Sequence, residues 1–188
     1  MMLRGKHVSL PRVGEVANGD RAVLRTDGFG KALFGVIDGL GHGPDAEIAS
    51  VGAATFLEKV SLETSLESMM EQLHVQLSGT RGVAATICLL RGTELDVCAV
   101  GNVELRSSDL RFPLIYSAGI LGVSVRKFRV CSASLPRSAR FVAFSDGISS
   151  RTPTDDIRRL TPADACHFIM SKYRRDNDDA TVLVADLG

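Results

Sequence analysis

The apolar positions fall into two periods. Leu95, Val97 and Ala99 alternate with Glu94, Asp96 and Cys98, the period of two that marks a half-buried strand. Residues 32–37 (Ala-Leu-Phe-Gly-Val-Ile) and 83–90 are nearly unbroken apolar runs of strand length. Residues 21–26, 112–116, 127–131, 140–144 and 180–186 add five strand candidates, and Asp27-Gly28-Phe29-Gly30 is a hairpin signal between residues 21–26 and 31–37. The helical period appears three times. Residues 44 to about 60 open with Pro44 and carry Asp45 and Glu47 in the first turn, where the helix dipole favours acids. Thr64-Ser65-Leu66-Glu67 fits a capping box before the stripe Leu66, Met69, Met70, Leu73 and Leu77. Thr161-Pro162-Ala163-Asp164 opens a third helix.

The order is strands, two helices, many strands, a helix and a strand. Strands joined mostly by hairpins form antiparallel sheets with helices as outer layers, an α+β architecture. Strict βαβ alternation, which a doubly wound parallel sheet requires, is missing. The 188 residues fit one domain, 1–188.

Charge narrows the function classes. Twenty-two basic residues balance twenty-two acidic ones, so the basic excess of a nucleic-acid binder is absent. No apolar run approaches the ~20 residues of a membrane span. The first residues lack a signal-peptide core, which leads us to expect a cytoplasmic protein. Cys88, Cys98, Cys131 and Cys166 are far apart in sequence and read as reduced, mostly buried thiols rather than zinc ligands.

The chemistry gathers at strand ends. Asp38 follows the run 32–37 and opens Asp38-Gly39-Leu40-Gly41-His42-Gly43; Asp146 follows 141–145; Asp178 precedes 181–184; Asp20 precedes 21–26. If these ends meet at one rim, the carboxylates form an all-oxygen cluster. Ionised acids so close would repel unless a hard divalent cation, Mg2+ or Mn2+, lay between them. Gly39 has no Cβ to keep a partner from its carbonyl, and Gly41 and Gly43 let the loop turn away into the helix. The run G-x-x-x-x-G-K-[ST] of a P-loop does not occur.

Three segments, FGVIDGLGHG (34–43), FVAFSDGISS (141–150) and DNDDATVLVADL (176–187), resemble the motifs of the metal-dependent PPM serine/threonine phosphatases, in that family's order. The segment 38–43 is most similar to the bacterial branch of RsbX-type and sporulation-type enzymes. The resemblance implies a four-layer αββα sandwich of two mainly antiparallel sheets flanked by helices. It implies two Mn2+ or Mg2+ ions bridged by Asp38, with the Gly39 carbonyl on one ion and Asp146 and Asp178 completing the other's set. Asp20 would hold a metal directly or through water. A water between the two ions would be the nucleophile, and the substrate would be a phosphoserine or phosphothreonine on a STAS-domain regulator of a stress-signalling partner switch. His42 is a candidate proton donor, although better-known members carry their histidine where Leu40 stands. Three further positions depart from the family: Gly19 replaces an acid, Glu15 a phosphate-binding arginine, and Ser150 an acid that serves a third metal. These departures leave a second reading open, a catalytically weak binding module on the phosphatase fold.

Overall fold

A computed structural model describes residues 2–107, 114–135 and 138–188. In chain order the elements are β1 (Leu3–Leu10), β2 (Asp20–Thr26), β3 (Lys31–Gly39), α1 (Pro44–Lys59), α2 (Leu66–Gln76), β4 (Val83–Arg91), β5 (Glu94–Val100), β6 (Glu104–Ser107), β7 (Tyr116–Ser117), β8 (Gly119–Ile120), β9 (Ser124–Val125), β10 (Val130–Ser134), β11 (Ala139–Phe144), α3 (Pro162–Tyr173) and β12 (Ala180–Leu187).

Two sheets dominate. One runs β1-β12-β11-β6, the other β10-β5-β4-β3-β2, and a short hairpin pairs β8 with β9. Neighbours pair antiparallel except β7, which joins β5 in parallel.

Three apolar clusters correspond to the three interfaces of a four-layer αββα sandwich. Leu33 and Ile37 of β3 pack with Ala53 and Leu57 of α1 and with Met69 and Leu73 of α2. Phe34 and Val36, on the opposite face of β3, pack with Phe141 and Ala143 of β11 and Leu183 of β12 between the sheets. Val182 and Val184 of β12 pack with Ile169 and Cys166 of α3. Side chains alternate across a strand, so each unbroken apolar run supplies two interfaces at once. That is why residues 32–37 and 180–186 carry almost no polar position.

Several boundaries differ from the sequence expectation. The cap of α2 is Ser65, whose hydroxyl accepts from the Ser68 N–H, one residue past the expected Thr64. Thr161 caps α3 as its pattern predicts. β3 runs two residues further than 31–37, so Asp38 lies inside the strand rather than after it. The strand expected at 127–131 lies at Val130–Ser134, because pairing with Glu94–Cys98 of β5 sets its span. Of the candidate 112–116, residues 112 and 113 lie outside the described residues. β1 was hidden by its composition: Arg4, Lys6 and His7 are exposed on an edge strand that β12 completes. All four cysteines are free, and three of them are buried. No helix among the described residues is long and apolar enough to cross a membrane.

Candidate functional site

The rim of the sandwich forms where strand ends from both sheets meet. In one sheet Asp20, the first residue of β2, sits opposite Asp38 near the end of β3 in the ladder. In the other, Asp146 follows β11 and Asp178 precedes β12, and these two strands pair with Phe144 opposite Val182. Antiparallel pairing thus brings four carboxylates that are distant in sequence to one edge.

A cavity of about 410 Å3 opens there. Asp38, Asp146 and Asp178 line it, with Asn102, Asn177, His42, Leu40 and Ile120 among its other walls. Burial is the main cause that pushes the Asp38 carboxyl up to about 9, and the charges of Asp20, Asp146, Asp178 and Asp179 add to it. Burial also raises Asp20 to about 7, against a lowering hydrogen bond from Ser145. Asp178 is raised by burial and then by Asp146. Each of these acids therefore stands short of positive charge.

Glycines set the close approaches. A Cβ on Gly39 would stand 2.4 Å from the Ala46 carbonyl oxygen, and one on Gly147 would stand 1.9 Å from that of Asp179. Gly41 and Gly43 have φ of 82° and 81°, the left-handed region that carries the chain from β3 into α1. The Gly39 N–H donates to the Gly19 carbonyl at 2.9 Å, which ties the two acid-bearing strand ends together.

Behind the cavity lies a buried polar floor. The Ser145 hydroxyl donates to Asp20 Oδ2 at 2.5 Å and accepts from the Thr181 N–H at 2.9 Å. The Thr181 and Ser9 hydroxyls share a 2.6 Å bond, and Asn18 donates to Ser9 Oγ at 2.8 Å. Asp20 is 1% exposed and does not line the cavity. Asp179 is also turned inward. It accepts from the backbone N–H of Arg12 at 2.8 Å and of Gly19 at 2.9 Å, pinning the segment 12–19 beside the site.

The mouth is polar and open. His42 Nδ1 lies 2.7 Å from Glu15 Oε1, and its Nε2 lies 2.9 Å from Arg12 Nη1. A guanidinium only donates, so Nε2 is the acceptor and Nδ1 carries the proton toward Glu15. His42 is a loop residue and does not cap α1, whose N-cap is Gly43 without a side-chain bond. Asn102 donates to Asp146 Oδ2 at 2.8 Å.

The donor set fits a hard divalent cation. Its groups are oxygens, three of them from carboxylates lining one cavity, and the raised Asp38 and Asp178 show a local demand for positive charge. Among the described residues, no three Asp, Glu, His or Cys side chains already stand in a ready-made ligating arrangement. Carboxylates this close relieve their repulsion either by holding protons or by sharing a cation.

No protein-family model matches the chain, and no curated relative does. Solved structures match over nearly the whole length. One, from work on the bacterial stressosome as a modular system adapted to control secondary messenger signalling, has a TM-score of 0.89 and 30% identity over 98% of this chain and 100% of that one. RsbX in complex with magnesium has a TM-score of 0.85 and 22% identity over 99% and 96% of the two chains. The catalytic domain of the serine/threonine protein phosphatase PstP in complex with two manganese ions follows at 0.77 and 17%, over 99% of each. The chain has the fold of the PPM-type serine/threonine phosphatases.

Within this PPM-type fold the five residues singled out from sequence occupy different depths. Asp38, Asp146 and Asp178 share the cavity, Gly39 lies beneath it against α1, and Asp20 belongs to the floor. Sequence reasoning missed Ser145, whose position beside Asp146 was the available signal. It also missed Asn102, and the partners of His42, which come from residues 27 and 30 positions away.

Proposed function

We propose that the chain, as one PPM domain over residues 1–188, is a metal-dependent phosphoserine/phosphothreonine protein phosphatase. One observation carries this reading: strand ends from two sheets deliver Asp38, Asp146 and Asp178 into a single cavity. Asp38 and the Gly39 carbonyl, with Asp146 and Asp178, would hold two Mn2+ or Mg2+ ions. When bound, such ions supply an activated water and positive charge for the phosphoryl oxygens. The chain's own residues do the rest. Asp20 adds negative charge behind Asp38 and is kept in place by Ser145. Leu40 and Ile120 give the cavity apolar walls beside the carboxylates. His42, held on both ring nitrogens, is a candidate proton donor at the mouth once one of those bonds opens.

The substrate we infer is a phosphorylated STAS-domain regulator in a cytoplasmic stress-signalling partner switch. The likeness to RsbX and to the stressosome structure supports it.

The test is release of phosphate from p-nitrophenyl phosphate and from a phosphorylated STAS domain, with and without Mn2+. We expect Mn2+-dependent hydrolysis that Asp38→Ala and Asp146→Asn abolish. A wild-type chain that hydrolyses neither substrate with Mn2+ present, yet binds the phosphoprotein, would establish the binding-module reading instead.

A further inference from the structure

Asn102 lies in the short link between β5 and β6, which belong to different sheets. The link is fixed on both sides. The Gly101 N–H donates to the Ser117 carbonyl at 3.1 Å, and a Cβ on Gly101 would stand 2.5 Å from Ala84 Cβ. Val103 is buried between the sheets, and its carbonyl accepts from the Thr86 hydroxyl at 2.7 Å. Between these anchors the Asn102 side chain reaches Asp146, which lies on a loop also held from elsewhere. The Arg175 N–H donates to the Gly147 carbonyl at 2.8 Å, and Arg106 donates to the carbonyls of Ser150 and Thr152 at 2.6 and 2.8 Å. The loop backbone is thus secured without Asn102. Among the described residues, Asn102 is the one whose side chain bonds the carboxylate itself.

A carboxamide beside a carboxylate can only donate to it. The 2.8 Å bond occupies one lone pair of Asp146 Oδ2 and fixes the rotation of the carboxylate about its Cβ–Cγ bond. It leaves Oδ1 outside that bond. The amide carries no charge, so it orients Asp146 without competing for a cation or adding to the repulsion among the acids.

On the phosphatase reading above, we propose that Asn102 is a positioning residue for the Asp146 carboxylate, presenting one of its oxygens to a divalent cation. Partners that orient a ligating carboxylate change metal affinity by about 10–100-fold when removed. Asn102 is exposed, so its loss leaves the fold intact.

The experiment is calorimetric titration of Mn2+ into the full chain, with thermal melting of each variant alongside. Asn102→Ala is expected to weaken Mn2+ binding by about tenfold with an unchanged melting temperature. Asn102→Gln, which keeps the carboxamide, is expected to recover most of the loss. Asp146→Asn marks the effect of disabling the ligand itself. Asn102→Ala binding Mn2+ as tightly as the wild type, while Asp146→Asn weakens it, would overturn the role of Asn102 alone. Equal weakening in the Ala and Gln variants would do the same. A wild-type chain that binds no Mn2+ would overturn both this role and the phosphatase reading.

Discussion

The floor and the mouth of the cavity are both polar, yet they are built on opposite terms. The floor joins Asp20, Ser145, Thr181, Ser9 and Asn18 from four segments, and Asp20, Ser145 and Thr181 are each at most 1% exposed. The mouth joins Glu15, His42 and Arg12, and there His42 and Arg12 keep 49% and 37% of their side chains exposed. A buried group that loses its partner bears the full cost of desolvation, whereas an exposed one recovers water. The floor therefore fixes where the strand ends stand, and the mouth can rearrange around a substrate at little cost.

Between the two lies Asp38, and changing it should have the largest effect. Asp38→Asn keeps the shape and removes the charge. Activity with Mn2+ on p-nitrophenyl phosphate is expected to fall by at least ~10^2–10^3-fold, the scale of losing a main electrostatic element of a site. The same variant should melt at a higher temperature than the wild type without divalent ions, because burial and four neighbouring acids act against the Asp38 charge. A variant that is both inactive and less stable would show Asp38 to be a structural group belonging with the floor.

The next effect tests the floor. Ser145→Ala strands Asp20 Oδ2 and the Thr181 N–H together. The expected cost is about 2–3 kcal/mol, and at roughly 2–4 °C per kcal/mol for a chain of this length the melting temperature should drop by several degrees. An unchanged melting temperature would show that water reaches the floor.

How much of this was legible beforehand follows the same division. Asp38, Asp146 and Asp178 stand out because each adjoins an apolar run and a glycine or a second acid, so the sequence pattern alone marks them. The two sheets were readable in class, since unbroken runs such as 83–90 must be covered on both faces. Ser145 and Asn102 were not legible as site residues. Their importance comes from partners 125 and 44 positions away, a separation no local pattern encodes. β1 was missed for a related reason. Its Arg4, Lys6 and His7 carry no strand signature, and only pairing with β12 makes the segment a strand. The cap of α2 moved by one residue because Thr64 and Ser65 have the same capping chemistry, and local geometry selects Ser65.

A smaller effect appears as a function of pH. Asp38 and Asp20 hold their protons up to about 9 and about 7, well above an ordinary carboxylate. Between the unfolded value near ~4 and these values the native chain binds more protons than the unfolded one, so stability falls as pH rises. Melting temperatures in a chelator should therefore decline from about pH 5 to about pH 9. Saturating Mn2+ should flatten that slope, because a cation replaces the protons. A slope that is the same with and without Mn2+ would separate the acids from any metal.

The mouth should show the smallest effect on stability. Glu15→Gln weakens the contact to His42 Nδ1, and both side chains are partly exposed, at 27% and 49%. A partly exposed hydrogen bond of that kind contributes about 1 kcal/mol, so the melting temperature should move by no more than about 2–4 °C. The informative readout is kinetic. If the mouth rearranges around substrate, Glu15→Gln and Arg12→Ala should change KM for a phosphoprotein more than kcat, since neither residue lines the cavity with the three carboxylates. Equal KM values and a kcat lowered as far as in Asp38→Asn would move His42 and its partners from the adjustable rim into the reacting centre, and the contrast between floor and mouth would then be one of burial alone.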